Sequence, residues 1–144
     1  MRLQDLMKCS VETVAPGDPA DSAWERMRRR RIRHLVVMDG RRVAGILSQR
    51  DIADESARAG RAVAEVMSAP AVTAEPRTTV REAANLLRGR TLGCLPVLEK
   101  EKLVGIVTTT DLLELIGRGA ERPMPRPGRR VLTRRGPRRE RQRE

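Results

Sequence analysis

The sequence reads Gly45-Ile46-Leu47-Ser48-Gln49-Arg50-Asp51 at one point and Gly105-Ile106-Val107-Thr108-Thr109-Thr110-Asp111 sixty residues later. The same offset relates further positions, namely Met7 and Met67, Thr13 and Thr73, Pro16 and Pro76, Leu35 and Leu95, and Val37 and Val97. A repeat of fixed period indicates two copies of one supersecondary unit that bury a shared face. We therefore predict repeats at residues 1–60 and 61–120, with two related clefts at the seam between them.

Each copy has the pattern of an α+β unit with the order β-α-β-β-α. Apolar runs predict strands over 34–38, 43–47, 95–98 and 103–107, and Asp39-Gly40 predicts a tight hairpin turn. Apolar residues at helical spacing predict a helix before each strand pair, and Thr79 with Glu82 has the spacing of a capping box. A further helix is expected after each Gly-Ile motif, over 48–59 and 109–116.

The positive charge of the chain is concentrated at one end. The whole chain has a net charge of +11, of which residues 121–144 supply +7 from 10 Lys+Arg and 3 Asp+Glu. This segment is rich in Arg, Pro and Gly and has little apolar surface to bury, so we predict that it is a disordered basic tail.

Several classes of function are disfavoured by composition. Trp24 is the single aromatic residue, so recognition of nucleic acid by base stacking is not expected. No stretch has membrane-spanning length, the start lacks an apolar leader, and one histidine argues against a zinc site of the usual kind. Cys9 and Cys94 occupy non-equivalent repeat positions, and we predict reduced thiols in a cytoplasmic protein.

The doubled β-α-β-β-α order, with Gly-h-h-Ser/Thr-x-x-Asp (h, apolar) ending each copy, resembles the tandem CBS (cystathionine β-synthase) domain pair. The resemblance covers residues 3–118. It implies two repeats packed as a pseudo-twofold pair, called a Bateman module, whose two clefts can each hold an adenine nucleotide or a related adenosyl ligand. It also implies a stand-alone regulatory module that forms a homodimer and signals to a protein partner that the sequence does not identify.

The serine or threonine and the aspartate of each motif are the main candidate ligand-binding residues. They lie where a strand turns into a helix, close to unpaired N–H groups. By resemblance, Asp51 and Asp111 bind the ribose hydroxyls, and Ser48 and Thr108 contact ribose or phosphate. The alternative is a plain helix-capping pair, and the two roles are compatible. We call the cleft with Ser48 and Asp51 the first cleft and the other the second cleft.

An adenine base is expected to lie against the apolar part of each motif. Gly45 and Gly105 lack a Cβ atom, so a flat base could approach the backbone there. The walls of the adenine pockets are expected to come from Val11, Thr13 and Ile46 in the first cleft and from Val72, Thr73 and Ile106 in the second.

A basic pair distinguishes the two copies. Arg33 and His34 precede a strand at a position where nucleotide-binding relatives often carry basic residues, which implies phosphate contacts. The alternative is a solvated basic helix end with a packed histidine. The second copy has Gly93 and Cys94 instead, so three alternatives stay open: its cleft is empty, it prefers a less charged ligand, or it borrows basic groups from the first copy.

The ligand class is broader than one molecule. AMP, ADP, ATP, S-adenosylmethionine, NAD and cyclic dinucleotides all present an adenosine, and we predict such a molecule as a regulatory ligand with no cofactor required. We predict no enzymatic activity, because no pair of nucleophile and base is visible. Cys94 and His34 occupy equivalent repeat positions, but a catalytic dyad there is disfavoured.

The second hypothesis is a dimerising scaffold whose basic tail binds nucleic acid or an acidic partner. Such binding would depend on salt and not on nucleic-acid sequence. The tail has no periodic apolar stripe, so a membrane-lying helix is not expected. The alternative for the tail is that it only increases the solubility of the protein and binds no partner.

Deletion of residues 121–144 separates the two hypotheses. We expect the shortened protein to bind nucleotide with unchanged affinity in calorimetry, because every candidate ligand residue lies in the repeats. Loss of a salt-dependent interaction with a polyanion would instead support the scaffold, and loss of nucleotide binding would contradict our assignment.

Overall fold

In a computed structural model of the protein, residues 1–118 are described, and the predicted tail at 121–144 lies outside them. In chain order the elements are β1 (Thr13–Val14), α1 (Ala20–Arg30), β2 (His34–Asp39), β3 (Arg42–Ser48), α2 (Glu55–Arg58), α3 (Val63–Val66), α4 (Val80–Gly89), β4 (Cys94–Glu99), β5 (Lys102–Thr108) and α5 (Thr109–Gly117), with short 3-10 helices at Leu3–Asp5 and Gln49–Ile52. None of the helices in this described part is long and apolar enough to cross a bilayer.

The strands form two related sheets. In the first, β1 runs parallel to β2, and β2 pairs antiparallel with β3. In the second, β4 pairs antiparallel with β5, and the counterpart of β1 is reduced to a parallel bridge between Ala74 and Val97. Both hairpins shift register at the same repeat position, after Val37 and after Val97. The prediction of an α+β fold built from two β-α-β-β-α repeats is confirmed.

The apolar residues form two cores, each centred on the strands of one repeat, and a third cluster joins the repeats. The first core includes Met27, Leu35 and Leu47, and the second includes Leu87, Leu95 and Val107. The third cluster contains residues of both repeats at the seam: Val11, Val36, Met38, Val43, Ile46, Cys94, Leu103 and Ile106. Burial of this shared face holds the two repeats together.

The repeats exchange their leading segments. Leu3 is fully buried in the core of the second repeat, and its backbone N–H donates to the carbonyl oxygen of Thr78 at 2.9 Å. Val63 is buried in the core of the first repeat, and its N–H donates to the carbonyl oxygen of Asp18 at 2.8 Å. Each structural body is therefore built from two separate stretches of chain.

The exchanged segments end in matching backbone contacts at the seam. Lys8 and Ile106 exchange two hydrogen bonds, of 3.0 and 2.9 Å, and Ser68 and Ile46 exchange two of 2.8 and 3.0 Å. Each pair forms an isolated antiparallel bridge along the last strand of a repeat. These contacts fix the chain beside the Gly-Ile motif in both copies.

The motif glycines make this close approach possible. A Cβ atom on Gly45 would lie 2.6 Å from the carbonyl oxygen of Ser68 and 2.9 Å from Sδ of Met67. On Gly105 it would lie 2.7 Å from Sδ of Met7. Any larger residue at either position would push the exchanged segment away from the strand.

The prediction of one continuous helix over residues 48–59 was wrong. This segment divides into the 3-10 helix and α2, because Asp54 starts a new helix by accepting a hydrogen bond from the N–H of Ser56 at 3.2 Å. Arg58 Nη1 donates to the carbonyl oxygen of Ile52 at 2.9 Å, which satisfies a backbone group freed by the break.

Substitution of Gly45 by alanine tests this account of the seam. We expect Gly45→Ala to lower the free energy of unfolding by about 1–3 kcal/mol, because the new methyl group meets a backbone oxygen that cannot rotate away. The measurement is urea denaturation. Gly17→Ala is the matched control, since its Cβ would meet no atom within 4 Å, and equal stability of the two variants would contradict the account.

Candidate functional site

The Ser/Thr-x-x-Asp motifs form reciprocal capping boxes in both repeats. In the first, the N–H of Ser48 donates to Oδ2 of Asp51 and the N–H of Asp51 to Oγ of Ser48, both at 3.3 Å. In the second, the N–H of Thr108 donates to Oδ2 of Asp111 at 2.9 Å, and the N–H of Asp111 to Oγ1 of Thr108 at 3.1 Å. Each carboxylate is thereby held at a helix start.

The two aspartates differ in their surroundings. Asp51 is exposed, and among residues 1–118 its Oδ1 accepts no hydrogen bond and no cation pairs with it. The side chain of Asp111 is 7% exposed, and its Oδ1 accepts a hydrogen bond from Nζ of Lys8 at 2.8 Å. The sequence analysis missed Lys8, although the repeat offers a signal, since Lys8 stands where the other copy has Ser68.

The basic pair lies next to the first motif. His34 is opposite Ser48 in the β2–β3 ladder, and the carbonyl oxygen of Arg33 accepts a hydrogen bond from the N–H of Gln49 at 2.8 Å. Arg33 borders an open cavity of about 340 Å³, which is lined by Met27, Arg28, Arg31, Ile32, Arg33 and Gln49. Neither Ser48 nor Asp51 lines this cavity, and Gln49 is the residue of the motif that borders it.

The ring of His34 lies at the seam. A Cβ on Gly93 of the second repeat would meet Nε2 and Cε1 of this ring. Burial lowers the pKa of His34 below its usual 6.5, and the positive charges of Arg33 and Arg50 lower it further, against an opposing effect of Asp51. His34 is therefore mainly neutral at neutral pH.

The predicted adenine-pocket residues divide into two groups. Val11, Ile46 and Ile106 come together in the seam cluster, whereas Val72 packs against the core of the second repeat. Thr13 and Thr73 are half-buried. The space directly over Gly45 and Gly105 is occupied by the exchanged segments, so these glycines serve the packing of the chain itself.

The chemistry available to Cys94 is limited by burial. Burial raises the pKa of its thiol to about 12, so the nucleophilic thiolate is scarce at neutral pH. Within residues 1–118, His, Cys, Asp and Glu side chains nowhere gather in threes that could hold a metal ion. The site offers a carboxylate, a hydroxyl and basic groups suited to binding.

Comparison with known proteins decides the family. The model of the CBS domain matches twice, at residues 3–58 and 63–118. The chain belongs to the CBS domain family. It is similar to the CBS domain-containing protein YhcV of Bacillus subtilis, with 31% identity over 114 residues that cover 76% of this chain and 81% of that protein.

Solved CBS structures share the fold. The CBS domain pair of protein MJ0100, in complex with 5′-methylthioadenosine and S-adenosylmethionine, superposes with a TM-score of 0.76 at 24% identity, over 82% of this chain and 97% of that one. CBSX2 in complex with AMP superposes with a TM-score of 0.72 at 23% identity, over 81% and 96%. At these identities the likeness shows the fold alone, which is that of a CBS pair.

Several other relatives are enzymes, including tRNA nucleotidyltransferase, homoserine O-acetyltransferase and inosine-5′-monophosphate dehydrogenase. This chain spans only 14% to 24% of the length of those enzymes. The match to enzymes is thus a match to a CBS-sized part of each, whereas the match to YhcV covers 81% of that protein.

The lowered pKa of His34 predicts a pH dependence of stability. Because the unfolded chain binds a proton at His34 more readily than the folded protein does, this contribution is present above about pH 6.5 and is lost as pH falls through the lower pKa of the folded state. We expect the Tm of the wild type to fall more than that of His34→Gln between pH 7.5 and pH 5.5. His34 is the only histidine, so equal losses in the two proteins would contradict the account.

Proposed function

We propose that this protein is a regulatory module that binds an adenine nucleotide or related adenosyl ligand in its first cleft. Asp51 would accept hydrogen bonds from the two ribose hydroxyls, and Ser48 would contact ribose or phosphate. Arg33 and His34 would bind the phosphate. The ligand would act as a signal and would not be consumed.

The observation that carries the proposal is the state of Asp51. Its carboxylate is oriented by the backbone N–H of Ser48 and is exposed, with no cation paired to it among residues 1–118. A carboxylate of this kind can accept two hydroxyl donors at little cost, since it keeps one oxygen free for them.

The charges around Asp51 favour a phosphate-bearing ligand. Arg33 is exposed and borders the open cavity, and among the described residues its side chain pairs with no carboxylate. A guanidinium can bind phosphate through two parallel hydrogen bonds. A bound phosphate beside His34 would favour protonation of its ring and add a further donor.

Known CBS pairs give the ligand class its support. CBSX2 is solved with AMP, and the domain pair of protein MJ0100 with S-adenosylmethionine and 5′-methylthioadenosine. All three molecules contain an adenosine. We infer that the same part of the ligand is recognised by this chain and that the group beyond the ribose sets its preference.

The output of binding would come through the seam. The ring of His34 fills the space where Gly93 of the other repeat would carry a Cβ atom, so a ligand that binds His34 would act on the packing between repeats. A ligand shifts a conformational equilibrium only by its difference in affinity for the two states. We propose that the signal reaches a protein partner as such a shift, in a cytoplasmic homodimer.

Substitution of Asp51 tests the proposal. We expect Asp51→Ala to weaken AMP binding about 10- to 100-fold in calorimetric titration, because hydrogen bonds to a charged acceptor are lost. Asp51→Asn keeps one oxygen acceptor and should bind with intermediate affinity.

Asp54→Ala is the matched control, since it also removes a carboxylate that caps a short helix but lies outside the motif. Its AMP affinity should equal that of the wild type. The absence of binding to the folded wild-type protein, with AMP, ADP, ATP and S-adenosylmethionine alike, would refute the proposal. A loss with Asp111→Ala alone would move the site to the second cleft.

A further inference from the structure

The second cleft carries an internal ion pair that has no counterpart in the first cleft among residues 1–118. Nζ of Lys8 donates to Oδ1 of Asp111 at 2.8 Å, across 103 positions of sequence. Oδ2 of the same carboxylate accepts from the N–H of Thr108 at 2.9 Å. Both oxygens of Asp111 are therefore engaged by the protein itself.

The difference in the pairing of the two aspartates arises from one side chain. Ser68 occupies the position of Lys8 in the other copy, and both residues make the same pair of backbone hydrogen bonds to the isoleucine of the neighbouring motif. Within residues 1–118, no lysine or arginine lies within ion-pair distance of Asp51. The backbone beside the two motifs is alike. The charge beside the two aspartates differs, because Lys8 approaches Asp111 where Ser68 is the equivalent residue near Asp51.

We propose that Lys8 is a latch on the second cleft, meaning a side chain that occupies the ribose-binding carboxylate and must leave before a ligand binds. This inference rests on the proposed function of the Ser/Thr-x-x-Asp motifs. A ribose entering the second cleft replaces the Lys8–Asp111 ion pair with hydrogen bonds from uncharged hydroxyl donors, so the attraction between the two opposite charges is lost. In the part of the chain that the structure describes, no lysine or arginine competes in this way for Asp51 in the first cleft.

The latch can open. The Lys8 side chain is 65% exposed, so its ammonium group can move into water when a ligand arrives. A pair with one exposed partner is a weak interaction, and its loss corresponds to a change of about three- to tenfold in affinity. The latch therefore sets an order of filling, with the first cleft occupied before the second.

The second cleft also lacks the basic pair, since Gly93 and Cys94 stand where the first copy has Arg33 and His34. Lys8 is the cation that the first copy contributes there, and it is held on the carboxylate. Two features of the second cleft are thus related through Lys8: the missing basic pair and the burial of Asp111.

Adenosine is the probe that isolates the latch. Its ribose competes with Lys8 for Asp111, and it has no phosphate that Lys8 could attract. We use Asp51→Ala as the background, because it is expected to weaken the first cleft about 10- to 100-fold, so that the titration reports mainly on the second cleft. In that background, Lys8→Ser should tighten adenosine binding about three- to tenfold in calorimetric titration.

The equivalence of positions 8 and 68 suggests two substitutions, one that removes the latch and one that adds a latch to the other cleft. Serine is accepted at the equivalent position 68, so Lys8→Ser keeps the backbone bridge. Ser68→Lys, in an Asp111→Ala background, should install a latch on Asp51 and weaken adenosine binding at the first cleft by a similar factor. Lys102→Ser is the charge control, because Lys102 is exposed at the far end of β5 and makes no ion pair in the described part of the chain.

The outcomes separate the latch from the proposed function. If AMP binds the wild type but Lys8→Ser leaves adenosine affinity at the second cleft unchanged or lower, the latch is wrong and the function stands. If Lys102→Ser tightens binding as much as Lys8→Ser does, the effect is general charge and the latch is again wrong. If no ligand binds any of these folded proteins, the proposed function fails and the latch fails with it.

Discussion

The structure depends on the close contact between each exchanged segment and the last strand of the other repeat. Two backbone hydrogen bonds on each side, from Lys8 and from Ser68, bring one repeat's leading segment onto the other repeat's motif. The glycines of the motifs permit this distance. Because each core contains residues from both repeats, such as Leu3 in the second core and Val63 in the first, neither repeat can complete its core alone. The two clefts are consequences of this mutual packing.

This packing also explains how two similar clefts acquire different properties. The capping geometry of the motif is reproduced in both copies, and it holds both aspartates at helix starts. The side chains that the exchanged segment and the strand beginnings bring to each cleft are not reproduced. His34 and Arg33 stand beside Asp51, whereas Lys8 stands on Asp111. The two repeats share the same backbone arrangement around the motif, and differences at single side-chain positions give the two clefts different charges.

Most of the secondary structure was predictable from the sequence, because strands and hairpins depend on local patterns. The apolar runs located four strands to within a residue or two, and the repeat located the seam. The segment exchange was beyond the same reasoning, because a linear repeat assigns Leu3 and Val63 to their own copies. The break at Asp54 was also missed, since its cause is a local cap that competes with helix continuity.

The candidate site was predictable in its residue types and less so in its contacts. The pairing of Ser48 with Asp51 follows from their spacing, but the partner of Asp111 lies 103 residues away. The glycines were assigned to an approaching base, and the structure gives them the chain's own Met7 and Met67 as neighbours. Long-range contacts of this kind appear only when the repeats are packed together.

A crystal structure of the protein grown with AMP tests the central claim most directly. The account predicts the ribose hydroxyls on Asp51 and the phosphate near Arg33 and His34, with Lys8 still bound to Asp111 at limiting ligand. AMP bound only on Asp111, with Asp51 left in solvent, would contradict it.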